Sequence, residues 1–433
     1  MSRQELKWIN WGRNQSCIPE RVVYPCEESD LIKAIKQASV DQLKVKAVGS
    51  GHSFTGIALT TGVQINLSRY NRIVDIDREK LQVTVQVGKV LSELNVELWQ
   101  NGLSMSNLGD IGYQTVAGAL STGTHGSGIK FGCLSSQVVG ARVITGEGEV
   151  AECSKDHDND IFQSAIIGVG SAGLLSTVTL QLEPAFNLHS VKTVESLASI
   201  LENHEQEIRN NDHFQYLCYP NDTRAYTKRF NRTTEETTKP HSESWFASNV
   251  TGRAKWLTRK YIPSLADRLP GRSSDKFKED YVGRSYSALT FEVNPWVSNV
   301  EMEYFIPKIH AKEAIERIFD YVHKSTLDIW MPIQVRWIAG DDIPMSMCFG
   351  RDTTSIAIHV GSWEEFEPYF VPVETMLREY EGRPHWGKMH FQTFDTLREL
   401  YPKWDVFQQA RKQLDPKGIF QNDYTDRVLG KIA

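Results

Sequence analysis

Apolar residues before position 186 recur with two different spacings, which predict a mixture of helices and strands. Leu31, Ile35 and Ala38 are spaced as on one face of a helix, and similar spacing predicts helices near 91–98 and 160–166. Alternation of apolar and polar residues, or a short apolar run, predicts strands instead. Such strands are expected at 45–48, 63–67, 72–77, 81–87, 138–144, 149–153 and 175–182. This part of the chain is therefore expected to be helices and strands with short connections.

From about residue 186 glycines become rarer and the pattern changes. Helical spacing is found at 193–209, 311–323 and 366–380, and strand patterns at 214–219, 301–306, 333–338 and 355–360. The segment 229–285 is polar and has little periodicity beyond a helical patch near 255–265, so we interpret it as a long surface excursion. Alternation in 333–338 puts Gln334 and Arg336 on one face. Together these elements predict an antiparallel sheet with helices on one side, and an α+β fold overall.

Composition excludes several classes of protein. The chain has 433 residues, is 40% hydrophobic and carries a net charge of -6, as expected for two or three globular domains without a nucleic-acid footprint. It has no apolar run long enough for a membrane span and no apolar signal core at its start. The six cysteines are scattered, without a CxxC pair. We therefore expect free thiols, a cytoplasmic location and no metal site.

A glycine-rich loop follows the strand at 45–48. It contains Gly49, Gly51 and Gly56 around His52. Glycines let a backbone take positive φ and bring its N–H groups close to a phosphate. One interpretation is a simple turn with a polar histidine. The other is a loop that holds a cofactor's phosphates and presents His52 to its reactive end.

Two further stretches support the second interpretation. Residues 107–128 contain another series of small and hydroxyl residues. Such a series allows either a flat ligand to lie close to the backbone, or a helix and a strand to pack tightly against each other. Near the C-terminus, the sequence Arg383-Pro-His-Trp-Gly-Lys-Met-His390 concentrates an indole, a lysine and two histidines, in either a site or a packed turn. Two glycine-hydroxyl loops in one chain favour a shared, extended ligand.

Gly168-Val-Gly-Ser-Ala-Gly173 spells the GxGxxG dinucleotide fingerprint. That motif binds pyrophosphate when it follows a strand and begins a helix. Here the predicted helix comes first and the predicted strand follows. We therefore reject a nicotinamide site and expect the glycines to let this segment pass beside the bound ligand.

Four motifs follow one another along the chain: the loop Gly49-Ser-Gly-His-Ser53, the stretch Gly123-Thr-His-Gly-Ser-Gly128, the Gln334-Val-Arg336 strand and the His385-Trp-Gly-Lys388 motif. Their order resembles that in the sugar-1,4-lactone and alditol oxidases of the vanillyl-alcohol-oxidase flavoprotein family. The resemblance runs from about residue 10 to the C-terminus. It implies an FAD-binding domain at 1–185, a substrate or cap domain at 186–383, and a C-terminal segment, 384–433, that returns to the flavin.

The resemblance also implies roles for individual residues. His52 would be linked covalently to the flavin, and Arg336, Lys388, Gln334 and His359 would act on the substrate. The residues implied to bind FAD are Val48, Gly49, Ser50, Gly51, His52, Ser53, Phe54, Asn107, Gly109, Asp110, Val116, Gly118, Thr122, Thr124, His125, Gly128, Gly173, Val178 and His385.

The implied reaction is oxidation of an alcohol group on a polyol, sugar or sugar lactone by hydride transfer to flavin N5, with reoxidation by O2 to give H2O2. Arg336 would stabilise negative charge and Lys388 would bind a hydroxyl or accept its proton. The family usually has glutamate where this chain has Gln334, which cannot act as a base. That puts the usual lactone substrate in doubt and leaves Lys388 or His359 as the base.

The electron acceptor depends on a second position. The resemblance places Gly109 where oxidases tend to have glycine and dehydrogenases alanine, so a missing methyl would open a path for O2. We therefore expect an oxidase. The alternatives are a dehydrogenase with another acceptor and a flavin-binding protein that has lost catalysis. The sequence leaves the oligomeric state undetermined.

Overall fold

Two small sheets form the first half of the chain. The computed structural model describes residues 7–238, 257–258, 261–262, 278–290, 298–362 and 364–432. A parallel three-stranded sheet has the order Arg21–Val23, Val63–Asn66, Val45–Val48. An antiparallel five-stranded sheet has the order Val150–Ser154, Val138–Ile144, Leu174–Gln181, Gln82–Gln86, Ile73–Asp77. Two short pairs accompany them, Trp8–Ile9 with Ser16–Cys17 and Leu103–Ser104 with Glu183–Pro184.

An antiparallel eight-stranded sheet dominates the rest of the described chain. Its order is Lys278–Arg284, Asn187–Ser196, Arg224–Thr233, His213–Cys218, Ile333–Ile338, Thr353–Gly361, Asn299–Pro307, Arg383–Pro384. Three helices cover one of its faces, at Leu197–Asn210, Ala311–Lys324 and Glu367–Arg378. The expected antiparallel sheet with helices on one side is confirmed, and the opposite face is left for a site.

The other described helices belong mainly to the first part of the fold. They are Glu28–Val40, Leu91–Gln100, Val116–Ser121, Asn159–Ile166, Ser285–Leu289, Phe394–Leu397, Trp404–Leu414 and Asp423–Leu429. Single 3₁₀ turns occur at Gly56–Ala58, Leu67–Arg69, Leu134–Gln137 and Lys308–His310.

Buried apolar residues form two cores. One lies among the two small sheets and includes residues of the last three helices, such as Phe407 and Val428. The other lies between the large sheet and its covering helices and includes Trp337 and Ile318. The C-terminal segment therefore returns to the first core, as its apolar positions require for burial.

Two predictions between 186 and 285 are wrong. Residues 193–196 belong to a strand, and the helix begins only at Leu197. The expected surface excursion contains the strands Arg224–Thr233 and Lys278–Arg284 within its described parts, while most of the helical patch at 255–265 lies outside the described residues. Strand Asn187–Ser196 pairs along its length with Arg224–Thr233. Pairing with neighbours thus overrides a weak local pattern.

The rejected dinucleotide fingerprint has the order expected from the sequence. Helix Asn159–Ile166 precedes the glycines, and strand Leu174–Gln181 follows them. Gly173 has a φ of +72°, which suits glycine. Within the described residues, no helix combines the length and the apolar character needed to cross a membrane.

Candidate active site

Two adjoining cavities lie at the glycine-rich loops, and the second also reaches the uncovered face of the large sheet. The first, which we call the cleft, has about 980 Å³ of space not filled by atoms, part of it open to solvent, and is lined by small residues such as Gly49, Gly118 and Gly173. The second, which we call the pocket, has about 750 Å³ of such space and is lined mainly by polar side chains. His52, Ser53, Gln114 and Thr122 line both. An elongated ligand can therefore extend from the cleft into the pocket.

The cleft is built by close approach of the two glycine-rich segments. Strand Val45–Val48 leads into the first, where Gly51 has a φ of +69°. A Cβ at Gly49 would lie only 2.0 Å from Oγ1 of Thr115. Position 49 therefore has to be glycine for the two segments to pack this closely, and a glycine-rich backbone can also bring its N–H groups near to a ligand's phosphates. The residues present therefore fit the FAD expected from the sequence.

His52 lies where the cleft and the pocket meet. Its ring stacks on the indole of Trp11, with ring centroids 5.4 Å apart. The backbone N–H of Trp11 donates to the carbonyl oxygen of Gly51 at 2.8 Å. Burial, and then the charge of Lys388, lower the pKa of His52 to about 4. The imidazole is therefore neutral near pH 7, which is the nucleophilic form.

Side-chain alternation in the large sheet decides what the pocket contains. In strand Ile333–Ile338, Val335 and Trp337 are buried under the helices, whereas Gln334 and Arg336 line the pocket. The next two strands of the sheet, Thr353–Gly361 and Asn299–Pro307, alternate in the same way. They contribute Glu301, Glu303 and His359 to the pocket.

Arg336 is held by a buried carboxylate. Its Nη2 donates to Oε1 of Glu303 at 2.7 Å, and the same oxygen accepts from Ser355 and lies 3.0 Å from Nε2 of His125. Burial would raise the pKa of Glu303, but the charges of Arg336 and then His125 keep it well below its usual range. Among the described residues, the buried Nε of Arg336 has no hydrogen-bond acceptor. One donor of the guanidinium therefore remains for a ligand.

Asp110 extends from the second glycine-rich segment to the same strand. Its Oδ2 accepts from Nε2 of Gln334 at 2.6 Å and lies 3.6 Å from Nη1 of Arg336. Its Oδ1 accepts from Nε2 of Gln215 at 3.3 Å. Burial would raise the pKa of Asp110, but Arg336, then Lys228 and the two amides, keep it below its usual range. The pocket therefore contains an ionised carboxylate beside Gln334.

Lys388 and His359 both contact Glu301. Nζ of Lys388 donates to Oε2 of Glu301, and Nε2 of His359 lies 3.8 Å from Oε1. Nδ1 of His359 lies 2.8 Å from the carbonyl oxygen of Pro332. Because a carbonyl only accepts, Nδ1 carries the proton and Nε2 keeps its lone pair. Burial lowers the pKa of His359, and lowers that of Lys388 to about 7 against the opposing charge of Asp110.

His385 joins His125 and Glu303 in a buried group whose potential ligand atoms lie within 4.8 Å of one another. A cation there would face Arg336, which already binds the carboxylate. Nδ1 of His385 accepts from the N–H of Gly387 at 3.0 Å, and burial lowers the pKa of His385 to about 4. The arrangement therefore fits an internal hydrogen-bond network better than a metal centre.

Most of the residues proposed from the sequence line one of the two cavities. The cleft has Val48, Gly49, Ser50, Gly51, Gly118 and Gly173, and both cavities have His52, Ser53 and Thr122. The pocket has Phe54, Gly109, Asp110, Thr124, His125, Gln334, Arg336, His359, His385 and Lys388.

Four of the proposed residues lie behind the cavity walls. Val178 pairs with Val85 in the five-stranded sheet, and Val116 is buried in the first core. The N–H of Gly128 donates to the carbonyl oxygen of Trp337 at 2.8 Å, and Asn107 bonds within its own segment. These four residues line neither the cleft nor the pocket.

Several residues of the site were not predicted from the sequence. Glu301 and Glu303 were predicted only as part of a strand, although two carboxylates two positions apart in an apolar strand are a signal of a polar face. Trp11 and Gln215 gave no such signal, because only the folded chain brings them to the site.

The structure also changes the interpretation of Gly109. A Cβ there would lie 2.8 Å from Cγ2 of Thr124 and 3.2 Å from the carbonyl oxygen of His125. The methyl of Thr124 therefore fills the space that a missing methyl was expected to open. Packing alone is enough to explain a glycine at this position.

Comparison with known proteins shows the family of the chain. A model described as D-arabinono-1,4-lactone oxidase matches residues 178–428, which is more than half of the chain, and an FAD binding domain matches residues 19–154. The chain is 40% identical to an L-gulono-1,4-lactone dehydrogenase of Mycobacterium tuberculosis, covering 98% of this chain and 99% of the relative. It is 31% identical to the L-gulonolactone oxidase of Mus musculus, covering 98% of each.

A cholesterol oxidase from B. sterolicum has a TM-score of 0.79 with 16% sequence identity, covering 98% of this chain and 96% of that one. At this identity the likeness concerns the fold alone, which is the expected two-part flavoprotein fold. The family match and the relatives go further: the chain belongs to the D-arabinono-1,4-lactone oxidase family and is an FAD-dependent oxidoreductase that acts on CH–OH groups.

Proposed function

We propose that the protein oxidises an alcohol carbon of a sugar-1,4-lactone. The observation that carries this proposal is the polar pocket with Arg336, Lys388 and His359, which opens beside the cleft at His52. FAD supplies the redox chemistry when bound, by accepting the hydride of the alcohol carbon. The protein's own residues bind and orient the substrate and take up its hydroxyl proton.

Residues of the cleft hold the cofactor, and His52 attaches to it covalently. The neutral imidazole and its stack on Trp11 support this role, because they present a nucleophile in a fixed orientation. The division at 185 and 383 into FAD and cap domains is part of the same proposal. It is supported by the two separate cores, with the C-terminal segment packed into the first.

Two groups are placed to accept the hydroxyl proton. His359 offers an unprotonated Nε2 whose tautomer is set by Pro332. Lys388 has a pKa of about 7 through burial, although its contact with Glu301 favours the ammonium form. Arg336 remains charged and provides a fixed positive charge where negative charge develops. Gln334 orients groups by hydrogen bonds and takes no proton.

The names of the relatives indicate the class of substrate. The matched proteins are named for gulono-, galactono- and arabinono-lactones. A polar pocket with a guanidinium donor suits the hydroxyl and carbonyl oxygens of such a lactone. A sugar or an open-chain polyol presents similar hydroxyl groups and is the second substrate class to examine.

For the electron acceptor we propose O2, giving H2O2, with a dehydrogenase as the second candidate. The name of the Mycobacterium relative and the filled space at Gly109 support a dehydrogenase. The name of the Mus relative supports an oxidase. A flavin-binding protein without catalysis has less support, because Asp110 supplies the negative charge that Gln334 lacks. A cytoplasmic location and the oligomeric state stay open to experiment.

The test uses the purified holoprotein. Anaerobic addition of L-gulono-, L-galactono- or D-arabinono-1,4-lactone should bleach the flavin absorbance. Air should then restore it with formation of peroxide if the protein is an oxidase, whereas a dehydrogenase should reduce a dye and form little peroxide. Absence of bleaching across lactones, sugars and polyols would contradict the proposed function.

A further inference from the structure

Three carboxylates line the pocket, and they differ in how many hydrogen-bond and ion-pair partners the protein provides for them. Glu303 is 1% exposed, and its Oε1 already has Arg336, His125 and Ser355 as partners. Glu301 is bound by Lys388 and accepts from Asn299 at 3.0 Å. The third carboxylate, Asp110, comes from the opposite wall.

Asp110 is oriented by two amides. Gln334 donates to one of its oxygens at 2.6 Å and Gln215 to the other at 3.3 Å, while Gln334 also donates to Gln215 at 2.9 Å. An ionised carboxylate offers about four acceptor sites. Two amide N–H groups leave part of this capacity for hydroxyl groups in the pocket. Because both neighbours donate, the negative charge of this group resides on Asp110.

We propose that Asp110 is the substrate-binding carboxylate of the pocket, and that Gln334 and Gln215 hold it in place. This proposal rests on the proposed function. Asp110 accepts hydrogen bonds from the hydroxyl groups beside the carbon to be oxidised, and Arg336 binds an acceptor oxygen of the same molecule. The substrate class is therefore a polyhydroxylated lactone or polyol with neighbouring hydroxyl groups, recognised by a carboxylate and a guanidinium whose nearest atoms lie 3.6 Å apart.

The short contact between Asp110 and Gln334 allows a charge to be moved between the two positions. Asp110→Asn removes the carboxylate and keeps an oxygen able to accept from Gln334. Gln334→Glu instead brings two carboxylates to the 2.6 Å contact, which disfavours ionisation of both. The double variant carries one charge again, with the direction of the hydrogen bond reversed. Asp75→Asn makes the same chemical change at an exposed position and serves as the control.

We expect Asp110→Asn to lower kcat/KM on the best lactone by on the order of 30-fold, as for one charged hydrogen bond to substrate. Gln334→Glu should be impaired as well. The double variant should exceed the worse single variant on the same substrate by on the order of 10-fold. Flavin content should match the parent in each case, which separates loss of binding from loss of fold.

A second measurement needs no turnover. The charge of Asp110 raises the pKa of Lys388, so a pH titration of the oxidised flavin absorbance should show a transition near pH 7 that moves to lower pH in Asp110→Asn. The double variant should move it back toward the parent. If Asp110 only linked the glycine-rich segment to the sheet, its substitution would change thermal stability without moving the pH of this transition.

The outcomes distinguish two failures. A parent that reduces its flavin with no lactone, sugar or polyol overturns the proposed function and, with it, the role of Asp110 toward substrate. A parent that turns over, with Asp110→Asn within about threefold of it in kcat/KM, overturns only the inference on Asp110. A double variant no better than the worse single variant does the same.

Discussion

The indole of Trp11 lies against the imidazole of His52, with ring centroids 5.4 Å apart and planes inclined by 25°. Trp11 also meets Phe54 edge to face at 6.1 Å. The imidazole is thus held from one side by an indole that comes from a different segment of the chain. Substitution of His52 or of Trp11 therefore tests how the cofactor is attached.

His52→Ala should release the flavin on acid precipitation, because the substitution removes the imidazole that we propose to carry the covalent link. The parent should instead keep yellow, protein-bound flavin in the pellet. Trp11→Phe preserves an aromatic partner and should retain most of the attachment, whereas Trp11→Ala should slow it. Flavin that stays covalently bound in His52→Ala would contradict the assignment.

Turnover should rise with pH through about 7 if neutral Lys388 is the base, since the neutral amine is populated above the pKa and the ammonium below it. The contact with Glu301 would move this limb upward. Lys388→Arg stays charged and should remove the limb along with most of the activity. A limb that persists in Lys388→Met and disappears in His359→Asn would assign the base to His359 instead. The measurement is kcat/KM from pH 5.5 to 9, at about 0.5-unit intervals.

Arg336→Ala should slow flavin reduction on the order of 100-fold while FAD binding changes little, because Arg336 lines the pocket and not the cleft. The change also leaves Glu303 buried without its guanidinium, at a cost of about 3 kcal/mol of folding free energy. Arg336→Ala with Glu303→Gln should recover part of that stability but none of the rate. Stopped-flow reduction and thermal unfolding measure the two effects; equal recovery of both would contradict a catalytic role.

Gly109→Ala alone should lower thermal stability, because its Cβ would lie 2.8 Å from Cγ2 of Thr124. Thr124→Ser removes that methyl and keeps the hydroxyl that accepts from Gln114 at 3.0 Å. The double variant therefore moves one methyl from position 124 to position 109. If a methyl at 109 controls oxygen access, reoxidation of the reduced enzyme by O2 should slow in the double variant and not in Thr124→Ser. Unchanged reoxidation would remove Gly109 from the choice of acceptor.

Local sequence patterns were sufficient for much of the fold. Short-range periodicity placed a helix around Leu31, Ile35 and Ala38 and strands at 45–48 and 333–338, close to where they are observed. It did not identify the strands at 193–196 and 224–233, which pair with each other. Local periodicity is informative when one face of an element is apolar and weak when pairing provides most of the stability.

By itself, the sequence determined the class of the molecule. The glycine loops, the alternation around Arg336 and the segment around Lys388 are local features, and each can be recognised within a few residues. Only the tertiary structure decided the contents of the pocket. It brought Asp110 to Gln334, across 224 positions of the chain, and filled the space at Gly109 with Thr124. Such contacts depend on how sheets and loops pack, because the distance between two side chains in a fold is not encoded in their separation along the sequence.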